Sequence, residues 1–274
     1  MSEQYSKPVL VPSPAGEGRE LVARLRELGH EVDHAPFVEL RMNRDSDAKQ
    51  AVAALMEGRI AQLVLEGPRA VELVLSYADL QDDASGDGAS GGTDGPGGGH
   101  VGRPTLALPR DTVITAIGED TTTALRELGI EPGRTLPPLD VSASLDLPAA
   151  SQQGEALLLV TSATAPPALT GQLQQAGYAV TRVTGYRPVP VGLDSQVVRD
   201  LRLAGYSAIA LPSTFLSDLA GHLGIHRDIR VVTMHETATA AAEARSLVVH
   251  GQADAPTGAS LAEAIHRALV EQRG

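Results

Sequence analysis

Val180-Thr181-Arg182-Val183-Thr184-Gly185-Tyr186-Arg187-Pro188-Val189-Pro190-Val191 starts as a strand and does not finish as an ordinary one. β-Branched residues alternate through its first half, the pattern of a half-buried strand. Gly185, Pro188 and Pro190 then interrupt it. Neither proline can donate to a ladder, so the stretch does not read as a central strand at that point. An extended crossing between two bodies fits it better, with Tyr186 in the middle of the crossing.

The chain on either side alternates strand and helix patterns, which predicts parallel sheets with helices on both faces. A weak internal duplication organises it further. Val9-Leu10-Val11, Leu21, Leu25, Gly29 and Val32 match Leu157-Leu158-Leu159, Leu169, Leu173, Gly177 and Val180 at a constant offset of 148. Each copy reads as strand, helix, closing glycine and strand. Each then runs into an extended segment containing proline, 35–40 in the first and 183–191 in the second. Two such segments are expected to pair as a bridge between two α/β units.

Elsewhere the patterns predict a helix over 48–57, a loop over 131–147 with a helix near its end, and a strand over 246–250. A closing helix is expected over 260–271, with Ser260 as its N-cap. Residues 82–102 are low-complexity Gly, Ser and Asp and read as a disordered surface insertion. Gly97, Gly99 and Gly102 there spell a dinucleotide fingerprint. No strand pattern precedes them and no helix pattern follows, so the match is rejected.

Composition narrows the function classes. In 274 residues, 42% are apolar but only 3% aromatic, so the core is mostly Leu, Val, Ile and Ala. A formal net charge of −12 argues against nucleic acid or an anionic membrane as a partner held by bulk charge. The absence of cysteine excludes disulfides, thiolate metal sites and Cys nucleophiles. The polar start and the lack of any apolar run near 18 residues lead to the expectation of a cytoplasmic protein without a membrane span.

Ligands of open parallel sheets bind beyond the carboxyl ends of the strands. The turns expected there are Glu66-Gly67-Pro68-Arg69, Gly118 to Thr123, Thr161-Ser162-Ala163-Thr164, Pro212-Ser213-Thr214 and His235-Glu236-Thr237. Small residues and hydroxyls precede a helix in each, so free N–H groups and a positive helix end suit carboxylates or phosphates. Each hydroxyl alone is equally an ordinary N-cap. No metal set stands out, since Gly224 breaks the helical spacing of His222 and His226. No phosphate loop or nucleophile–base motif is present. Tyr186 reads either as hinge packing or as an acid, because a tyrosine is ordinarily protonated at neutral pH and can donate.

Four ordered motifs carry a family resemblance. They are Gly67-Pro68-Arg69-Ala70-Val71 after a strand, Ile117-Gly118-Glu119-Asp120-Thr121, then Gly177, Val180, Val183 and Tyr186 at regular spacing, and Pro256-Thr257-Gly258-Ala259-Ser260-Leu261. Together they resemble uroporphyrinogen-III synthase over nearly the whole chain apart from 82–102. The resemblance implies an α/β fold of two flavodoxin-like parallel-sheet domains joined by a two-stranded linker. One domain would combine 1–35 with 192–274, the other would span 41–182, and 36–40 with 183–191 would link them.

The activity it implies is cofactor-free cyclisation of hydroxymethylbilane, a carboxylate-rich linear tetrapyrrole, with inversion of the last pyrrole ring and loss of water. Tyr186 would be the catalytic acid. Gly67, Pro68, Arg69, Gly118, Thr121, Thr122, Ser162, Ser213, Thr214 and Thr237 would bind the substrate, in a monomer without metal. The chain departs from the family pattern at Pro12-Ser13, Glu66-Gly67, Met234-His235 and Ala238. A carboxylate at Glu66 would repel such a substrate unless turned away. The competing reading is a non-catalytic ligand-binding or regulatory protein that keeps the fold.

Overall fold

The computed structural model describes residues 7–85, 108–137 and 149–271. In chain order the first elements are β1 (Val9–Val11), α1 (Arg19–Glu27), β2 (Val32–His34), β3 (Val38–Met42), α2 (Ser46–Met56), β4 (Gln62–Glu66) and α3 (Pro68–Ser85). Next come β5 (Val113–Ile117), α4 (Glu119–Glu127), β6 (Arg134–Leu136), β7 (Glu155–Ser162), α5 (Ala168–Gln175) and β8 (Tyr178–Pro190). The chain then forms α6 (Ser195–Arg202), β9 (Ala208–Leu211), α7 (Thr214–Ala220), β10 (Arg230–Thr233), α8 (Glu236–Ala244), β11 (Val249–Gln252) and α9 (Gly258–Glu271). The fold is mixed α/β with parallel sheets. It divides into two compact units, one of Met1–Leu40 with Pro188–Gly274 and one of Arg41–Arg187.

The first unit holds a five-stranded sheet of order β11-β10-β9-β1-β2, in which neighbouring strands run parallel. Its sequence shows why both faces are covered. Along β1, Val9 and Val11 face a cluster with Leu21 and Leu25 of α1 and with Leu261, Ile265 and Leu269 of α9. Leu10 faces the opposite cluster, with Leu201 of α6, Leu216 of α7 and Ala242 of α8. The same alternation repeats on β9, where Ala208 and Ala210 take one face and Ile209 and Leu211 the other. All four β9 residues are buried, so the strand reads as a continuous apolar run, as central parallel strands do.

The second unit uses the order β3-β8-β7-β4-β5-β6. Parallel register joins β7, β4, β5 and β6, with Leu63 opposite Leu158 and Leu65 opposite Val160. Val64, Leu157 and Leu159 pack with Leu169 and Leu173 of α5 on one face. The extended stretch that begins at Val180 belongs to β8. It pairs parallel with β7 as far as Ser162 opposite Tyr186, with a register shift between Thr161 and Ser162. Gly185 stands where a side chain would not fit, since a Cβ there would lie 2.7 Å from Val160 Cγ1. Asn43 N donates to Gly185 O at 2.8 Å, and Val191 N donates to Phe37 O at 3.0 Å. β3 therefore runs against the second half of β8, as rising numbers on one pair with falling numbers on the other.

Four expectations change. α3 continues to Ser85, so the first residues of 82–102 are helical, while 86–102 lie outside the described residues. The loop expected over 131–147 contains β6, a three-residue strand too short and polar to show a period; the helix expected near its end lies outside the described residues. The strand expected at 246–250 begins instead at Val249. Ser246 has φ 63°, and Leu247 N returns to Ala242 O, a helix-closing turn that a strand cannot share. The last helix is capped by Thr257, whose Oγ1 accepts from Ser260 N, while Ser260 Oγ accepts from Asp254 N and Ala255 N of the preceding loop.

Side-chain caps also begin α2, α6, α7 and α8. Asp45 Oδ1 accepts from Ala48 N at 2.8 Å and begins α2. Asp45→Ala is expected to cost about 1 kcal/mol, read as a lower urea midpoint with an unchanged slope.

Candidate active site

Four strands of the second unit end side by side in the order β8, β7, β4, β5, so their carboxyl ends bring together residues far apart in sequence. Gly67 follows β4 with φ +81°, a left-handed turn that glycine adopts without steric cost. Its N–H donates to Thr121 Oγ1 at 2.8 Å, and Thr121 Oγ1 donates onward to Ile117 O at 2.6 Å. The β4 and β5 ends are thus tied through one hydroxyl. From the other side, Tyr186 Oη donates to Glu66 O at 3.0 Å. A Cβ on Gly67 would lie 2.6 Å from that phenol oxygen. Gly67 is required both by its backbone angle and by the tyrosine set against it.

Glu66 joins the third strand end. Its Oε2 accepts from Ser162 N at 3.0 Å. Ser162 Oγ in turn pairs with Thr164 Oγ1 at 2.9 Å and accepts from Thr164 N at 3.2 Å. Ala163 N donates to Tyr186 O at 2.8 Å, closing the turn against β8. Arg182, further back on β8, donates to Ala165 O at 3.0 Å. Burial pushes the Glu66 carboxyl up from 4.5 to about 7, against the opposing pull of the Ser162 N–H and the Arg182 charge. Raised in this way, the carboxyl holds its proton more readily than an exposed one, which weakens the repulsion expected from a carboxylate at this position.

The raised value has a stability consequence. The folded protein holds this proton more tightly than the unfolded chain. The contribution is fully present below about 4.5 and is lost as pH rises through about 7. The span corresponds to about 3 kcal/mol as an order of magnitude. Thermal melts are expected to show the Glu66→Gln variant gaining on the parent between about pH 5 and about pH 8. A constant difference across that range would contradict the assignment.

The other residues expected at the site fall into three groups. Pro68 opens α3 at its first position, where a missing N–H costs nothing, and Arg69 pairs with Glu72 one turn on. Gly118 precedes α4 with φ 84°, and its N–H donates to Leu136 O. Thr121 and Thr122 are buried, and Thr122 Oγ1 pairs with Thr135 Oγ1 at 2.9 Å. Their hydroxyls tie the unit together, leaving backbone as what they offer a ligand.

Ser213, Thr214 and Thr237 belong to the first unit. Ser213 Oγ caps α7 through Leu216 N. Thr214 Oγ1 donates to Thr237 Oγ1 at 3.3 Å, and Thr237 Oγ1 pairs with His235 Nδ1 at 2.7 Å. His235 Nδ1 also accepts from Ala238 N at 3.1 Å, so the histidine caps α8. Sequence reasoning placed His235 in a turn but gave it no role; a histidine in a cap position is the signal that was available. His222 donates to Asp218 O, and His226 Nδ1 accepts from Asp228 N, so each is held locally.

Comparison with known proteins gives this constellation its context. The family model described as Uroporphyrinogen-III synthase HemD matches residues 19–263. The chain belongs to the uroporphyrinogen-III synthase family. It is a cyclising lyase of porphyrin biosynthesis. No curated protein matches it. Among solved structures it resembles a mutant uroporphyrinogen III synthase from Thermus thermophilus, with a TM-score of 0.55 and 16% identity over 97% of this chain and 100% of that one. It also resembles the uroporphyrinogen-III synthetase from Helicobacter pylori, with a TM-score of 0.56 and 9% identity over 94% of this chain and 97% of that one. At such identities the likeness concerns the fold.

Proposed function

We propose that this member of the uroporphyrinogen-III synthase family closes hydroxymethylbilane with inversion of its last pyrrole ring and loss of water, with acid assistance from Tyr186. The observation that carries the role is the phenol at the carboxyl edge of the sheet, 3.0 Å from Glu66 O and beside the Gly67 turn. Loss of a hydroxyl as water needs a donor, and a phenol supplies one at neutral pH. Phenol-to-substrate donation requires Tyr186 to exchange its carbonyl partner for the hydroxyl oxygen. Positioning is the second task. The glycine turn at Gly67, Pro68 and Arg69, the helix start after Gly118 with Thr121 and Thr122, and the Ser162 turn would orient carboxylates of a flexible chain. Ser213, Thr214 and Thr237 would do the same at the strand ends of the first unit.

The finer architecture proposed is two flavodoxin-like domains linked by 36–40 and 183–191. The supporting facts are the two parallel sheets and the hydrogen bonds between 37 and 191 and between 43 and 185. A monomer acting in the cytoplasm on a small anion completes the reading. The net charge of −12 disfavours nucleic acid, and among the described residues no helix is long and apolar enough to cross a membrane.

The test is incubation of the purified protein with hydroxymethylbilane, followed by separation of the macrocycle isomers. Excess inverted isomer at a rate proportional to protein is expected. Only the non-inverted isomer, at the spontaneous rate, would sink the reading.

A further inference from the structure

Glu66 is a partly buried ionisable group that the account above leaves without a chemical task. It is the last residue of β4, directly before the Gly67 turn. Its main-chain oxygen receives the Tyr186 phenol and its Oε2 receives the Ser162 N–H, both at 3.0 Å. Among the described residues, no hydrogen bond engages Oε1. One oxygen is therefore oriented by the neighbouring strand end while the other is uncommitted, at the edge where the phenol also stands. The charged groups around it are few. The Arg182 charge on β8 acts on the carboxyl and favours its ionised form. Arg69, at the start of α3, is engaged by Glu72. Glu119 and Asp120 begin α4 beyond β5, and Tyr186 is the other titratable neighbour.

The geometry points to Glu66 as the carboxyl that delivers the proton to the departing hydroxyl, with Tyr186 donating a hydrogen bond to the same oxygen. The inference rests on the cyclase reading above. In the step, the Glu66 carboxyl proton moves to the hydroxyl oxygen. The carbon–oxygen bond breaks with its electron pair on oxygen, and water leaves. The pyrrole nitrogen lone pair fills the vacated carbon, giving an azafulvenium cation that faces the new Glu66 carboxylate. Closure with inversion joins that carbon to the last pyrrole, breaks the bond by which this pyrrole was already attached and remakes it at the pyrrole carbon that carries a hydrogen. That hydrogen leaves as a proton when the ring regains aromaticity, and Glu66 takes it back. The net change is loss of one water with the carboxyl restored.

Acid strength favours this division of labour. A general acid works best when its pKa lies near the working pH. The Glu66 carboxyl stands at about 7, raised by burial, whereas a tyrosine ordinarily stands near 10. The neutral carboxyl also admits a carboxylate-rich substrate that an ionised one would repel.

The test measures inverted-isomer formation from hydroxymethylbilane by the full chain between about pH 5.5 and about pH 8.5, with spontaneous closure subtracted. Parent activity is expected to fall as pH rises through about 7. Glu66→Gln keeps an oxygen for Ser162 N, and is expected to lose about 10²-fold in rate together with that pH-dependent fall. Glu66→Asp keeps a carboxyl and is expected to retain a fall at a shifted pH. A Glu66→Gln variant with parent rate and parent profile overturns the inference and leaves the cyclase reading standing. If Glu66→Gln does not fold, Glu66→Asp decides, because an unmoved profile overturns the inference. A parent that makes no inverted isomer overturns both.

Discussion

Tyr186→Phe is expected to lower formation of the inverted macrocycle by about 10²- to 10⁴-fold, the range that a positioned donor contributes. The structure limits what else the change does. Phenylalanine keeps the ring, which is buried in β8 against the β4 end. What is lost is the 3.0 Å bond to Glu66 O, worth about 1 kcal/mol or somewhat more if the carbonyl finds no other donor. A melt should therefore drop by only a few degrees while turnover collapses. The comparison is made at fixed substrate excess, with product isomers separated, so that spontaneous closure is not mistaken for residual catalysis. Unchanged turnover in a folded variant would return Tyr186 to the role of a packing residue that holds the turn.

Gly67→Ala acts on the same place through the backbone. At φ +81° an L-residue costs about 1–2 kcal/mol. The added methyl would sit 2.6 Å from Tyr186 Oη and 3.3 Å from Cζ, so the phenol must leave. The bond to Glu66 O is then lost as well, for a total of about 2–3 kcal/mol. Activity is expected to fall at least as far as in Tyr186→Phe, because the donor is displaced along with the turn. The pair gives a sharper test than either change alone. With the hydroxyl gone, the alanine methyl meets only ring carbon, so Gly67→Ala should cost about 1 kcal/mol less in the Tyr186→Phe background. Additive costs in the double variant would show that the two residues do not share this contact.

Much of this was legible in the residues themselves. The match of Val9-Leu10-Val11 to Leu157-Leu158-Leu159 identified a buried strand in each unit, because fully buried parallel strands read as unbroken apolar runs. The prolines at 188 and 190 marked the point where β8 leaves β7 as partner. What escaped the sequence was set by partners rather than by period. Arg134-Thr135-Leu136 carries no alternation long enough to read, and becomes a strand through its ladder with Thr115, Ala116 and Ile117. Val249 starts a strand later than its apolar neighbours suggest because Ser246 and Leu247 are occupied in closing α8. Ser260 looked like a cap, yet Thr257 three residues earlier offers the same chemistry and takes the position. At the site, Gly67 and Tyr186 were recognisable, but their contact was not. Nor was the state of Glu66, since desolvation depends on what surrounds a side chain and not on its neighbours in sequence.

The placement of β1 has a consequence for how the chain comes to be folded in time. Val9 and Leu10 pair with Ala208 and Ile209 on one side and with Val32 and Asp33 on the other, so β1 lies inside its sheet. The second unit, Arg41–Arg187, is synthesised entirely between β1 and β9. At about 5–20 residues per second, β1 waits on the order of 10–40 s for its partner. By the end of that interval the second unit has all of its strands, while the sheet of the first has only β1 and β2. β1 is thus completed late, and its backbone edge towards β9 stays open on the growing chain until Ala208 emerges.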